Sequence, residues 1–426
     1  MSAGRTKRIE TSGKGRQAEE SKGKRAVPFH HLIAVALIAA VALVAYSNTF
    51  HVPFHFDDRA NILENSNVRI KTWTWDRVER LIRSTYKETI RVVAYLTFAL
   101  NYTFGEFNVF GYHLVNLLVH VAAGVLLYAF LMLTLNLPSL RGQYGGISYK
   151  VALFTALIFV AHPIQTQAVT YIVQRMASMA GMLYLLAMIL YIRGRLSRGY
   201  GRMLWFGGSV LTYLVGVFTK ENVAILPFFV ALYEFYFFQG CELSPGNKRV
   251  VLGLVTGLVI LGAAGLLVWG RRYMDVIVEG YQYRTFTMGE RVLTQFRIVL
   301  YYVTLLVYPH PSRLNLDYDF PVSRSILDPP TTLISILMVA GLLGYSLWAA
   351  KKRPLVSYCI LWYFGNLVIE SSIFPLELVF EHRLYLPCIG PFLLFSLGVI
   401  QGLGWVRRKV SFFEPAAGQD RGALSG

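Results

Sequence analysis

The chain has 426 residues, of which 55% are hydrophobic and only 15% charged, and its mean hydropathy is +0.47. So much apolar surface excludes a single water-soluble core and predicts an all-α polytopic membrane protein. A net charge of +17 would suit nucleic acid in a soluble protein. Here the Lys and Arg residues gather near the N-terminus and in short patches beside apolar runs, which reads as membrane topology and excludes a nucleic-acid partner.

Residues 1–29 are rich in Gly, Ser, Lys and Arg and show no apolar periodicity, the composition of a disordered basic cytoplasmic tail. Leu32 to Tyr46 then forms the first apolar run, with a charged lead too long for a cleaved leader, and is expected to remain as an anchor. Further apolar segments follow near 111–135, 150–161, 176–193, 204–219, 223–238, 250–269, 332–350, 355–373 and 386–405. With the first, near 32–48, they predict about ten spans of about 20 residues each. Breaks are expected at Ala161-His162-Pro163 and at Lys220-Glu221.

With the N-terminus in the cytoplasm, the clusters Arg193 to Arg202, Lys248 and Arg249, Lys351 to Arg353, and Arg407 to Lys409 all fall inside, as short basic loops should. This layout requires the run Val292 to Val307 to be re-entrant or interfacial, and it leaves Arg271 and Arg272 outside. It divides the chain into the tail, a transmembrane catalytic domain over 30–406 and a cytoplasmic C-terminal tail over 407–426. Two long outer loops, 49–110 and 270–331, lie on the extracytoplasmic face. In the first, Trp73 and Trp75 precede Val78, Leu81, Ile82 and Tyr86 at helical spacing, predicting a juxtamembrane helix. The three cysteines, Cys241, Cys359 and Cys388, are scattered and suggest neither a disulfide nor a zinc site.

Almost every unusual polar residue falls on that outer face: Asp57 and Asp58; Arg91; His113, Asn116 and His120; His162; Arg175; Lys220 and Glu221; and Glu381, His382 and Arg383. The adjacent acids Asp57 and Asp58 are the candidate catalytic pair, able to act as a base or to bind a divalent cation, Mg or Mn. Arg91, Arg175, Lys220 and Arg383 are candidates to hold a phosphate, the arginines because a guanidinium stays charged and contacts oxygen pairs bidentately. His113, His162, Glu221, Glu381 and His382 complete the expected cavity. Each has a plainer alternative: inter-helix hydrogen bonds for the histidines, a self-neutralising Lys220–Glu221 pair, headgroup anchoring for the arginines.

The succession Phe56-Asp57-Asp58 with Asn61 and Asn65, Tyr112-His113-Leu114-Val115-Asn116, Ala161-His162-Pro163, Thr219-Lys220-Glu221 and Glu381-His382-Arg383-Leu384-Tyr385-Leu386-Pro387 resembles the membrane domain of the transmembrane and tetratricopeptide-repeat O-mannosyltransferases and their bacterial relatives. The segment Tyr308 to Phe320 resembles the family as well, whereas no repeat array of helix pairs is visible in these residues. The resemblance implies a C-type glycosyltransferase fold with a catalytic acid in the first outer loop. It also implies a polyprenyl-phosphate-linked sugar donor and a hydroxyl acceptor on protein, glycan or lipid. A bacterial inner membrane is the expected location. Two further readings stay open at this point, a ligase that moves a whole lipid-linked glycan, and a transporter or flippase of a lipid-linked or anionic substrate.

Overall fold

The computed structural model describes residues 28–241 and 277–413. The basic tail up to residue 27, the span expected near 250–269, Lys248, Arg249, Arg271, Arg272 and the chain beyond 413 lie outside the described residues. Among the described residues the regular structure is helical throughout, so the protein is the all-α polytopic membrane protein that its composition requires. Six helical stretches are long and apolar enough to cross a membrane: Val109–Leu135, Pro138–Ala161, Ile172–Leu196, Glu221–Phe238, Thr331–Ala349 and Ile389–Arg407. The segments expected near 32–48, 204–219 and 355–373 form the helices α1 (Phe29–Ala45), Tyr200–Val217 and Pro354–Leu367.

Two helices follow α1 in the segment expected as the first outer loop. The first, α2 (Trp75–Glu88), is the amphipathic helix expected from its spacing: Asp76 lies in the first turn and Leu81 is fully buried. The second, α3 (Val92–Gly105), was read as loop. Its 14 residues, most of them apolar, are too few to span a bilayer at 1.5 Å per residue, and they pack sideways instead. Ala94, Phe98 and Ala99 of α3 join Ile62, Val68, Ile70, Leu81, Tyr112, Ile172 and Val173 in a core of their own. The outer loop is thus a folded cap with an apolar interior, able to hold a polar side chain in a fixed place.

The central pillar is α4 (Val109–Leu135), whose N-cap Asn108 accepts a hydrogen bond from the Phe110 amide. It packs on α1, on α5 (Ser148–Ala161) and on α6 (Arg175–Leu196). Next in order come α7 (Tyr200–Val217) against α6, then α8 (Met288–Val307), α9 (Thr331–Ala349) and α10 (Pro354–Leu367), each on its neighbour, and α11 (Ile389–Phe413) against α5 and α10. Helix α8 opens with a capping box in which Thr287 and Glu290 satisfy each other's backbone. Close crossing is set by a glycine between α10 and α11. A Cβ on Gly390 would sit 2.5 Å from the Cys359 carbonyl oxygen, a distance only a missing side chain permits. Apolar side chains such as Val44, Leu211, Leu337 and Leu403 remain exposed on α1, α7, α9 and α11, as surfaces facing lipid tails must be.

Candidate functional site

The two acids have different surroundings. The chain turns through a left-handed residue, Phe56, with φ of 42°, a conformation that costs a side-chain-bearing residue energy and is kept where the surroundings enforce it. Immediately after it, Asp57 is exposed while Asp58 is 1% exposed. Asp58 accepts from its own turn, the His55 amide at 3.0 Å, and from the Val173 amide at 2.6 Å across the cap. Burial pushes the Asp58 carboxyl up to about 6, against the pull of the His55 and Val173 amides. Asp58 therefore locks the turn onto the segment before α6. Asp57 faces outward, its amide donating to Tyr171 Oη at 2.7 Å and its carbonyl accepting from Asn61 Nδ2 at 2.7 Å. Burial, together with the neighbouring Asp57 and Asp58 carboxylates, pushes the Tyr171 phenol up.

A divalent cation does not fit this pair well. Both Asp58 oxygens already accept backbone N–H groups, and among the described residues no three His, Cys, Asp or Glu side chains converge on a common point.

The second group forms where three outer segments meet. Gln167 donates to the Asn315 carbonyl at 2.8 Å and accepts from the His382 amide at 3.2 Å. Glu381, 2% exposed, accepts from the Asn315 amide at 2.8 Å and from Tyr318 Oη at 2.6 Å. Its carboxyl is pushed up to about 7 by burial, against those two hydrogen bonds. The stretch around Asn315 and Tyr318 is thereby fastened to the Glu381-His382-Arg383 turn. His382 stacks on Phe380 at 5.0 Å, and its imidazole is held well below the usual histidine range. Burial comes first among the causes, and the charges of Lys220, Arg383 and Arg91 add to it.

Those three cations mark the third group, whose pairing decides against the plainer alternative for Lys220. Lys220 and Glu221 do not neutralise each other. The helical path breaks after Val217, and extended backbone at Lys220 sends the two side chains to separate partners. Glu221 receives a bidentate contact from Arg91, with Nε at 2.8 Å. Lys220 Nζ lies 2.7 Å from Glu370 Oε1. Glu370 was not singled out, although a carboxylate near the end of an apolar run is a recognisable signal. Tyr171, Gln167 and Tyr318, ordinary in sequence, are likewise found only by their contacts.

The remaining arginines are turned toward protein. Arg175 is fully buried. It donates to Asn116 Oδ1 at 2.6 Å, to Tyr112 O at 3.0 Å and to Thr97 Oγ1 at 3.2 Å, and it stacks over the Phe98 ring at 4.8 Å. Arg383 donates to the Glu377 and Leu378 carbonyls at 2.7 and 3.0 Å. In this arrangement both guanidinium groups direct these donors to protein groups and close gaps between helices and loops. The histidines act similarly. His113 bonds Val52 O at 2.8 Å, His120 bonds Tyr385 Oη at 2.8 Å and Val160 O at 3.2 Å, and His162 bonds Leu306 O at 3.1 Å.

Two openings adjoin these groups. A polar cavity of about 230 Å³ is lined by Asn65, Ser66, Asn67, Ser84, Thr89 and Tyr95, among others. It communicates with the acid turn through Tyr95, whose hydroxyl donates to Asn61. An apolar groove of about 430 Å³ is lined by Ile82, Tyr86, Val92, Val93, Leu214 and Phe218. It runs beside Arg91 and the break before Lys220.

No family model and no solved structure matches the chain significantly, but curated relatives do. Protein O-mannosyl-transferase TMTC3 of Mus musculus is 29% identical over 422 residues, 87% of this chain and 44% of the relative. Tmtc3 of Drosophila melanogaster is 25% identical over 463 aligned positions, 91% of this chain and 49% of the relative. TMTC2 of Homo sapiens is 29% identical over 252 residues, 55% of this chain and 29% of the relative. The chain spans less than half the length of each of these relatives. Along most of its length the chain is thus similar to TMTC protein O-mannosyl-transferases of mouse and fly, the kind of protein that its acid turn, its Lys220-Glu221 break and its Glu381-His382-Arg383 turn resemble.

Proposed function

We propose that the protein is a membrane glycosyltransferase of C type that moves a hexosyl unit, mannose in the first instance, from a polyprenyl-phosphate carrier to a hydroxyl of an extracytoplasmic protein or glycan. The observation that carries the reading is the division of labour in the acid turn. One carboxylate, Asp58, is buried as a fastener, and the other, Asp57, is presented on the surface of a packed cap. The similarity to named O-mannosyl-transferases supports glycosyl transfer as the activity that such an acid would serve.

In the reaction, Asp57 takes the proton of the acceptor hydroxyl as its oxygen attacks the anomeric carbon. The bond from that carbon to the phosphate oxygen breaks, and polyprenyl phosphate leaves with the electron pair. Arg91 and Lys220 meet the charge that grows on the departing phosphate, while Arg175 and Arg383 hold the frame by their backbone contacts. The apolar groove beside Arg91 suits the first isoprene units of the carrier. The polar cavity behind Asn61 and Tyr95 suits a neutral, hydroxyl-rich group.

The test is sugar transfer from a panel of radiolabelled polyprenyl-phosphate sugars by purified protein in lipid. Asp57→Asn should abolish release of polyprenyl phosphate while leaving thermal unfolding unchanged. Asp58→Asn should lower both, because it leaves one buried backbone donor unpaired. Full transfer by Asp57→Asn would refute the assignment.

A further inference from the structure

The Lys220–Glu370 pair is buried, yet its hydrogen-bonding capacity is only partly used. The two side chains are 5% and 7% exposed and meet at 2.7 Å through a single carboxylate oxygen. Apart from that ionic contact, Lys220 Nζ and Glu370 Oε2 have no hydrogen-bond partner among the described residues. The buried atoms Asn222 Oδ1 and Ser371 Oγ, within two residues of the pair in sequence, have none either. An ammonium carries three donors and a carboxylate about four acceptor positions, and buried polar atoms are normally satisfied. A buried charged pair with unfilled donors and acceptors of its own, flanked in sequence by further unsatisfied polar atoms, can accept a further polar ligand. The neighbouring pair, Arg91 with Glu221, is different. It is bidentate and more exposed, at 29% and 43%, so less is gained by opening it.

We propose that Glu370 is an exchangeable internal anion, holding Lys220 in place until the phosphate of a lipid-carried donor displaces it. The inference rests on the donor reading above and adds to it a positioning residue. A buried ammonium without a counter-ion is costly, so the empty site needs a carboxylate to hold Lys220 in place and aimed. A phosphate offers more acceptor oxygens than the single one Glu370 supplies, and it can use the donors that Nζ leaves unfilled. When it arrives, Ser371 Oγ is available to donate to the released carboxylate, and Asn222 Oδ1 to accept from the ammonium. When the phosphate departs as product, Glu370 returns and helps to expel it.

The full chain in lipid nanodiscs is titrated with a long-chain polyprenyl phosphate and with the corresponding uncharged polyprenol. The native protein should prefer the phosphate, and Lys220→Gln should lose that preference. Glu370→Gln should bind the phosphate more tightly, by about tenfold, with polyprenol binding unchanged. In turnover the same variant should lower KM for the donor and also kcat, because product is retained. Unchanged or weakened phosphate binding by Glu370→Gln would overturn the exchange and make Glu370 a structural support of Lys220. A native protein that does not distinguish phosphate from polyprenol would instead sink the donor reading itself. If Glu370→Gln does not fold, Glu370→Asp is used, which keeps the charge but withdraws it by one methylene. Tighter phosphate binding then supports the exchange, and unchanged or weaker binding overturns it.

Discussion

Glu381 fastens the stretch around Asn315 and Tyr318 to the turn that carries His382, and it does so as a carboxyl whose pKa is raised from 4.5 to about 7. Because the folded value lies above the unfolded one, the stability gained from the neutral acid is complete below about pH 4.5 and is lost as pH rises through 7. The interval of about 2.5 units corresponds to about 3 kcal/mol, at about 1.4 kcal/mol per unit. Glutamine in this position keeps a carbonyl that can accept from the Asn315 amide and Tyr318 hydroxyl but never ionises. Glu381→Gln should therefore match the native protein near pH 5 and exceed it by up to about 3 kcal/mol near pH 9, a displacement of a few degrees in the unfolding temperature. The assay is intrinsic tryptophan fluorescence during heating of purified protein in lipid, from pH 5 to pH 9. Asp58, also raised, to about 6, imposes the same direction on both proteins, so the difference between the two curves isolates Glu381. Parallel curves at all pH values would refute the reasoning and mean that Glu381 is ionised throughout.

Arg175→Lys keeps a positive charge but cannot span Asn116, Tyr112 and Thr97 together. It should lower the unfolding temperature, and Arg175→Leu should cost about 3 kcal/mol or more, both read by thermal unfolding in lipid. Gly390→Ala puts a methyl 2.5 Å from the Cys359 carbonyl oxygen, where backbone must move, whereas an added Cβ at Gly398 meets nothing within 4 Å. The first should destabilise by about 1–3 kcal/mol and the second should be near neutral, measured the same way.

Several features were readable from residue order because they depend on local composition. The apolar runs became helices, the spacing of Val78, Leu81 and Ile82 became α2, and the motifs quoted for the family point to the relatives that the alignments find. Helix α3 was not readable. Fourteen mostly apolar residues fit neither a span nor an exposed loop, and only their packing against Ile62, Leu81 and Tyr112 explains them. The pairing of charges was beyond residue order for a related reason. Adjacent Lys220 and Glu221 look self-neutralising in one dimension, but extended backbone at Lys220 separates them by direction.

Membrane residence and an all-helical fold follow from the sequence by itself, since transfer of apolar side chains out of water and the demand that backbone groups be bonded inside lipid are properties of each segment alone. Which of two adjacent aspartates is buried, which arginine is spent on carbonyl groups, and that Glu370 rather than Glu221 answers Lys220 were decided only by tertiary structure. Desolvation and hydrogen bonding depend on what neighbouring elements bring within about 3 Å, and residues more than a hundred positions apart in the chain set those distances.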